Sequence, residues 1–183
     1  MVCSILVFVK FKKDKQTVAS QNGSELLTLF EGVKVHESIT HLDNRGSLTE
    51  SFNTSWDFDS NPIVHIYKVA VDAGVIKGWQ YHTTYSDRSF FGWGKFRIVL
   101  HDLREDSKTY KQTITIFAGV ERPRLIMIPP LVLHAVQNLG DSESSFINMP
   151  TKIYNYTDPD KFRIPWDSDQ IPYNWQRRTF QQF

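Results

Sequence analysis

Short apolar runs recur along this chain. Residues 33–39, 47–52, 63–71, 75–82, 96–102, 113–117, 124–128, 135–138 and 145–150 each gather β-branched, aromatic and other apolar residues, with Gly, Pro, Asp and Asn between runs. A further run spans 5–11. Runs of this kind, about ten residues apart with turn signals between them, predict an all-β sandwich or barrel. A helical period appears only near residues 24–30. Beyond Pro150 the chain turns rich in Pro, Asp, Tyr and Trp, which predicts an irregular tail with a turn or two of helix wrapped on the barrel. The expected organisation is one domain over 1–183: an N-terminal extension with strands at 1–32, a barrel at 33–150 and a tail at 151–183.

Within the run 75–82, residues two apart share a face of the strand. Gln80 and His82 therefore point one way, and Trp79 and Tyr81 the other. With the Gln80 face turned inward, two polar groups enter the barrel side by side. His134, from another strand, joins them. Such convergence is what a site inside a small barrel requires.

Composition narrows the picture. The chain has 183 residues, 40% of them hydrophobic, enough for one sizeable core. Its 21 basic and 20 acidic residues nearly cancel, so no excess charge directs it to nucleic acid or an anionic membrane. The cluster Lys10, Lys12, Lys13 and Lys15 reads as a solvated arm. A single cysteine, Cys3, excludes a disulfide framework, and a cytoplasmic location is expected. The run 5–9 lacks a positive flank before it and a cleavage site after it, which favours a strand over a signal peptide. The 14% aromatic content fits a β-rich core and also a stacking surface for a flat ligand.

Two segments carry a resemblance. Gly74 through Gly94 and Pro129 through Asn138 keep the spacing of the two cupin boxes, G-x5-H-x-H-x4-E-x6-G and P-x-G-x2-H-x3-N. Gln80 stands for the first His, Asp87 for the Glu, and Leu131 or Val132 occupies the region of the second Gly. Further segments narrow the likeness. His41 to Glu50, Lys77 to Gln80, Asp102 to Tyr110, Ile128 to His134 and Ile164 to Trp175 resemble, in order, the signatures of the dTDP-4-dehydrorhamnose 3,5-epimerase family. The resemblance implies a cupin-type jelly-roll barrel, a homodimer with exchanged N-terminal strands, a nucleotide-linked 4-keto-6-deoxysugar as substrate, and no cofactor or metal. It also implies proton transfer at carbons flanking a ketone. That chemistry needs a base, an acid on the opposite face, and a donor near the ketone oxygen.

Carried over by position, the family's base falls on Gln80, whose carboxamide has no usable basicity. The family's lysine falls on Asp87, and its orienting acid on Ser168, with Asp167 and Asp169 alongside. The expected catalytic set is therefore His82 as base, His134 and Gln80 as polarising donors, Tyr154 or Tyr156 as acid, and Asp167 as orienting acid. Arg45, Glu50, Lys77 and Asp87 are expected to hold substrate, with Arg45 on a phosphate. Two alternatives stand beside this epimerase or isomerase of deoxysugar and surface-polysaccharide synthesis. One is a catalytically silent sugar-nucleotide binder. The other is a metal-dependent enzyme using Gln80, His82, Asp87 and His134 as ligands. Asp102 and Arg104 are expected to form a structural ion pair.

Overall fold

The structure, a computed structural model, describes residues 19–21 and 25–175. The expected strand at 5–11, the lysine cluster and Cys3 lie outside the described residues. Strands are β1 (Lys34–Glu37), β2 (Thr40–Asp43), β3 (Gly46–Thr49), β4 (Tyr67–Val71), β5 (Ile76–Tyr81) and β6 (Asp87–Phe91). They continue with β7 (Lys95–Asp102), β8 (Thr113–Gly119), β9 (Arg124–Ile128), β10 (Val132–Asn138), β11 (Ser144–Asn148) and β12 (Phe162–Arg163). One five-stranded sheet has the order β1-β9-β6-β11-β4 and faces a second with the order β12-β5-β10-β7-β8; β2 and β3 form a separate hairpin. All the pairings are antiparallel. The fold is an all-β, cupin-type jelly roll.

Between the sheets lies an apolar core that includes Phe91, Phe96, Ile98, Leu100, Ile116, Ile126 and Phe146. A second cluster covers the outer face of β5 and β10. There Trp79, Val99, Leu133 and Ala135 pack against Ile171 and Trp175 of the tail. Trp79 is 1% exposed, and its indole N–H donates to the Trp166 carbonyl at 3.1 Å. Burying one such ring removes roughly 150 Å² or more from water, worth about 4 kcal/mol. The tail is therefore tied to the back of β5, and this alternation leaves Gln80 facing inward.

One strand escapes the sequence pattern, and two expectations fail. β6 has no alternation to read, because all five of its residues are buried. Its Arg88 is 0% exposed and donates to the carbonyls of Met149, Asn61 and Pro62. Arg88 also stands 3.0 Å from the Asp59 carboxylate, an ion-pair distance without hydrogen-bond alignment. The segment 25–30 is not helical. Phe30 is buried in the main core, and Leu27 and Leu29 pack against that core, so tertiary contacts override a short local period. The described tail contains no helix either; it contributes the two-residue strand β12.

Asp102 and Arg104 do form an ion pair at 2.8 Å, joined by Ser107 and Thr109 hydroxyls that donate to the same carboxylate. Among the described residues, no helix is long and apolar enough to cross a membrane.

Candidate functional site

The site begins with an irregularity in β5. His134 pairs with Gln80, but Val136 pairs with Lys77, so β5 carries an extra residue between them. Bulges of this kind re-aim side chains. Gly78 sits within it at φ +142, a conformation that favours glycine. A Cβ there would overlap the Ala135 side chain and lie 2.6 Å from its Cα. The close approach sets Gln80 directly opposite His134, and the Gln80 amide nitrogen lies 3.1 Å from His134 Nε2.

Asp87, the first residue of β6, reaches the same place from the other sheet. Its Oδ2 is 3.1 Å from His82 Nε2 and 3.3 Å from His134 Nε2. Its Oδ1 accepts from the Asn148 amide at 2.9 Å. That amide also donates to the Tyr67 hydroxyl at 2.8 Å, while Asn148 Oδ1 accepts from Ser89 at 2.9 Å. A continuous polar network thus runs from Tyr67 on β4 to Gln80 on β5. Burial alone would raise the Asp87 carboxyl, but hydrogen bonds from His134 and His82 outweigh it and hold the group far below the usual carboxylate range.

These groups open on a cavity of about 320 Å³ between the two sheets. Gln80, Asp87, His134, Asn148 and Tyr67 line it, with Phe91, Ile128 and Phe146 among its apolar walls. Three cations also line it: Lys77 from β5, Lys161 just before β12, and Arg163 within β12. Lys77 and Arg163 are exposed while Lys161 is partly buried, which places them at the rim. Burial lowers the Lys161 pKa, and the positive charges of Arg163 and Lys77 lower it further, against the opposing pull of Asp87. Tyr67 is shifted the other way: burial raises its pKa, and the Asp87 charge adds to the effect despite the Asn148 hydrogen bond.

Lys161 owes its place to its neighbour. The Asp160 carboxylate accepts from the backbone N–H and hydroxyl of both Thr83 and Thr84, at 2.7 to 3.1 Å. These bonds overcome its burial and lower the Asp160 pKa to about 2. The Asp160 carbonyl accepts from His82 Nδ1 at 2.5 Å. One residue thus clamps the tail to the loop after β5 and delivers Lys161 to the cavity.

Several expected roles change. His82 is 5% exposed, has both ring nitrogens engaged, and stacks on Tyr85 at 4.1 Å. It stands behind Asp87 and does not line the cavity, so it is placed to orient the carboxylate and is ill placed to take a substrate proton. Tyr156 is 82% exposed and outside the cavity; Tyr154 packs edge-on against it at 4.9 Å and does not line the cavity either. Asp167 is exposed and lines no part of it. Arg45 lies in the β2–β3 turn, paired with Asp43 and with its side chain 85% exposed. Glu50 bonds to Asn53. Neither reaches the cavity of its own chain.

Lys77, Asp87, Gln80 and His134 do line the cavity. Sequence reasoning missed Tyr67, Asn148, Lys161 and Arg163. A signal existed for the last pair: they are two apart at the start of β12, where an extended backbone turns both to one side.

Known proteins of this kind are recognisable. A family model described as dTDP-4-dehydrorhamnose 3,5-epimerase matches residues 27–182. The spore coat polysaccharide biosynthesis protein SpsL of Bacillus subtilis is 37% identical over 150 residues, covering 80% of this chain and 97% of that protein. The probable low-salt glycan biosynthesis epimerase Agl13 of Haloferax volcanii is 35% identical over 145 residues, covering 78% and 92%. Among solved structures, dTDP-4-dehydrorhamnose 3,5-epimerase of Bacillus anthracis, with TDP and pyrophosphate bound, superposes with a TM-score of 0.71 at 21% identity. That match covers 82% of this chain and 88% of the other.

Proposed function

Since the chain belongs to the dTDP-4-dehydrorhamnose 3,5-epimerase family, we propose that it epimerises a nucleotide-linked 4-keto-6-deoxysugar by moving protons at carbons beside the ketone. The observation that carries this reading is the pairing of Lys161 and Tyr67 on one cavity. Lys161 precedes β12 in one sheet, and Tyr67 lies on β4 in the other. Their pKa values are displaced in opposite directions. A lysine that gives up its proton more readily suits a base, and a tyrosine that keeps its proton suits an acid on the opposite face. In this reading Lys161 takes the place of the base missing at Gln80.

The acidity of the substrate's C–H bonds comes from the developing enolate oxygen. Gln80 and His134, beside Asp87, supply the polar groups for that oxygen. Lys77 and Arg163 at the rim suit the diphosphate. The hairpin β2–β3 exposes Leu42 at 79% and Leu48 at 60%. In a homodimer this hairpin docks on the partner, and Arg45 acts there rather than in its own barrel.

The test is deuterium exchange. With a dTDP-4-keto-6-deoxysugar in D2O, label enters at C3, C5 or both, read by NMR. Folded protein that gives no exchange above buffer sinks the proposal. The rival reading, a silent sugar-nucleotide binder, is favoured by the carboxamide at position 80. It predicts saturable binding of the same compound with no exchange.

A further inference from the structure

A phenol hydrogen turns about its C–O bond, so Tyr67 serves the cavity as an acid only if something aims its proton there. The neighbour able to do so is Asn148, the last residue of β11. That strand lies between β6 and β4 in its sheet. Asn148 is 4% exposed and stands opposite Tyr67 in one ladder and Ser89 in the other. All three line the cavity.

Charge fixes the direction of each hydrogen bond. Burial favours a neutral Asp87, yet hydrogen bonds from His134 and His82 hold it ionised. Its oxygens therefore only accept. The Asn148 atom 2.9 Å from Asp87 Oδ1 must then be the amide nitrogen. The amide oxygen is left to the Ser89 hydroxyl, which donates to it at 2.9 Å. The second hydrogen on the amide nitrogen meets the Tyr67 oxygen at 2.8 Å. Tyr67 accepts this bond, so its own proton cannot lie on the line to Asn148. Among the described residues Tyr67 makes this one side-chain hydrogen bond, and its proton is free to face the cavity.

We infer that Asn148 is a positioning residue: it acts through Tyr67, aiming the phenol proton into the cavity and holding the oxygen after that proton leaves. The O–H bond of Tyr67 breaks, its proton joins the enolate carbon, and the electron pair stays on the phenolate oxygen. The Asn148 N–H still donates there. Burial raises the Tyr67 pKa, and the Asn148 bond opposes that rise. An aliphatic side chain at 148 donates nothing. A carboxyl there accepts, and turns the phenol proton away from the cavity. The catalytic part of this inference rests on the epimerase reading; the aim of the proton does not.

The experiment is a double-mutant cycle on the full chain. Deuterium incorporation into a dTDP-4-keto-6-deoxysugar is measured for the parent, Asn148→Leu, Tyr67→Phe and the double variant, each checked for cooperative unfolding. Asn148→Leu is expected to lower kcat by roughly tenfold or more, with KM within about threefold of the parent. The double variant is expected to match Tyr67→Phe within about threefold, because a residue acting through Tyr67 has nothing left to act on. Losses that multiply, or an Asn148→Leu kcat within about threefold of the parent, overturn the inference. A second measurement needs no turnover. In protein isotopically labelled at tyrosine Cζ, carbon NMR identifies the Tyr67 signal by its loss in Tyr67→Phe. In Asn148→Asp the phenol donates to the new carboxyl, and the signal is expected to move toward its phenolate position. A signal that stays in place or moves the opposite way overturns the inference. Absence of exchange by the folded parent refutes the epimerase reading, and the NMR result then decides the aim of the proton by itself.

Discussion

Replacing Lys161 by arginine keeps a positive charge at the cavity rim but removes an amine that gives up its proton more readily than an ordinary lysine. If Lys161 only attracts the diphosphate, the change is mild. If it removes a proton from carbon, the rate falls by the contribution of a positioned general base, about 10² to 10⁴. At about 1.36 kcal/mol per tenfold, that is a barrier increase of roughly 3 to 5 kcal/mol. The structure predicts which parameter moves. Lys77 and Arg163 remain to hold the anion, so KM is expected within about threefold of the parent while kcat falls. The assay is the initial rate of deuterium incorporation beside the ketone, measured against substrate concentration.

Proton accounting adds a second reading from the same side chain. Burial and two neighbouring cations lower the Lys161 pKa from 10.5 in the folded state. The wild-type rate is therefore expected to rise with pH up to that lowered value and then level off. Between the lowered value and 10.5, the unfolded chain binds more protons than the folded one, so folding stability rises with pH. Lys161→Met abolishes that slope, and its unfolding midpoint at neutral pH matches or exceeds that of the parent. A Lys161→Arg enzyme that retains kcat within about threefold would refute the base assignment, as would a wild-type rate that declines with pH across the rising limb.

Tyr67→Phe removes the proposed acid and leaves one Asn148 bond unmade; exchange is expected to fall by about 10². The stability cost is about 1 kcal/mol by urea denaturation. Gly78→Ala forces a Cβ into Ala135, and chemical denaturation is expected to show a loss of at least 1 to 3 kcal/mol, with weaker binding of dTDP because Lys77, the preceding residue of β5, shifts with the strand. Arg88→Met strands the Asp59 carboxylate and three carbonyls, and is expected to cost about 3 to 5 kcal/mol in the same measurement, or to prevent folding.

Much of the architecture was legible in residue order. Period-two alternation and turn residues located most strands, because a strand with one face buried must alternate. The same rule placed Trp79 outward under the tail and Gln80 inward beside His134. It failed for β6, whose faces are both buried, and for 25–30, where Phe30 answers to the core. The ordered motifs carried the family. They also drew attention to His82 as base, since one strand position says nothing about what a ring nitrogen meets. Only the folded chain brings Asp160, seventy-eight residues away, onto His82 Nδ1. The same carboxylate clamp carries Lys161 and Arg163 to a cavity whose other wall bears Tyr67 and Asn148. Strand geometry is a local property of backbone and burial, so the sequence determined it. Which protons are shared, and which charges are left to act on a ligand, depends on distances between remote segments, and packing alone decided those.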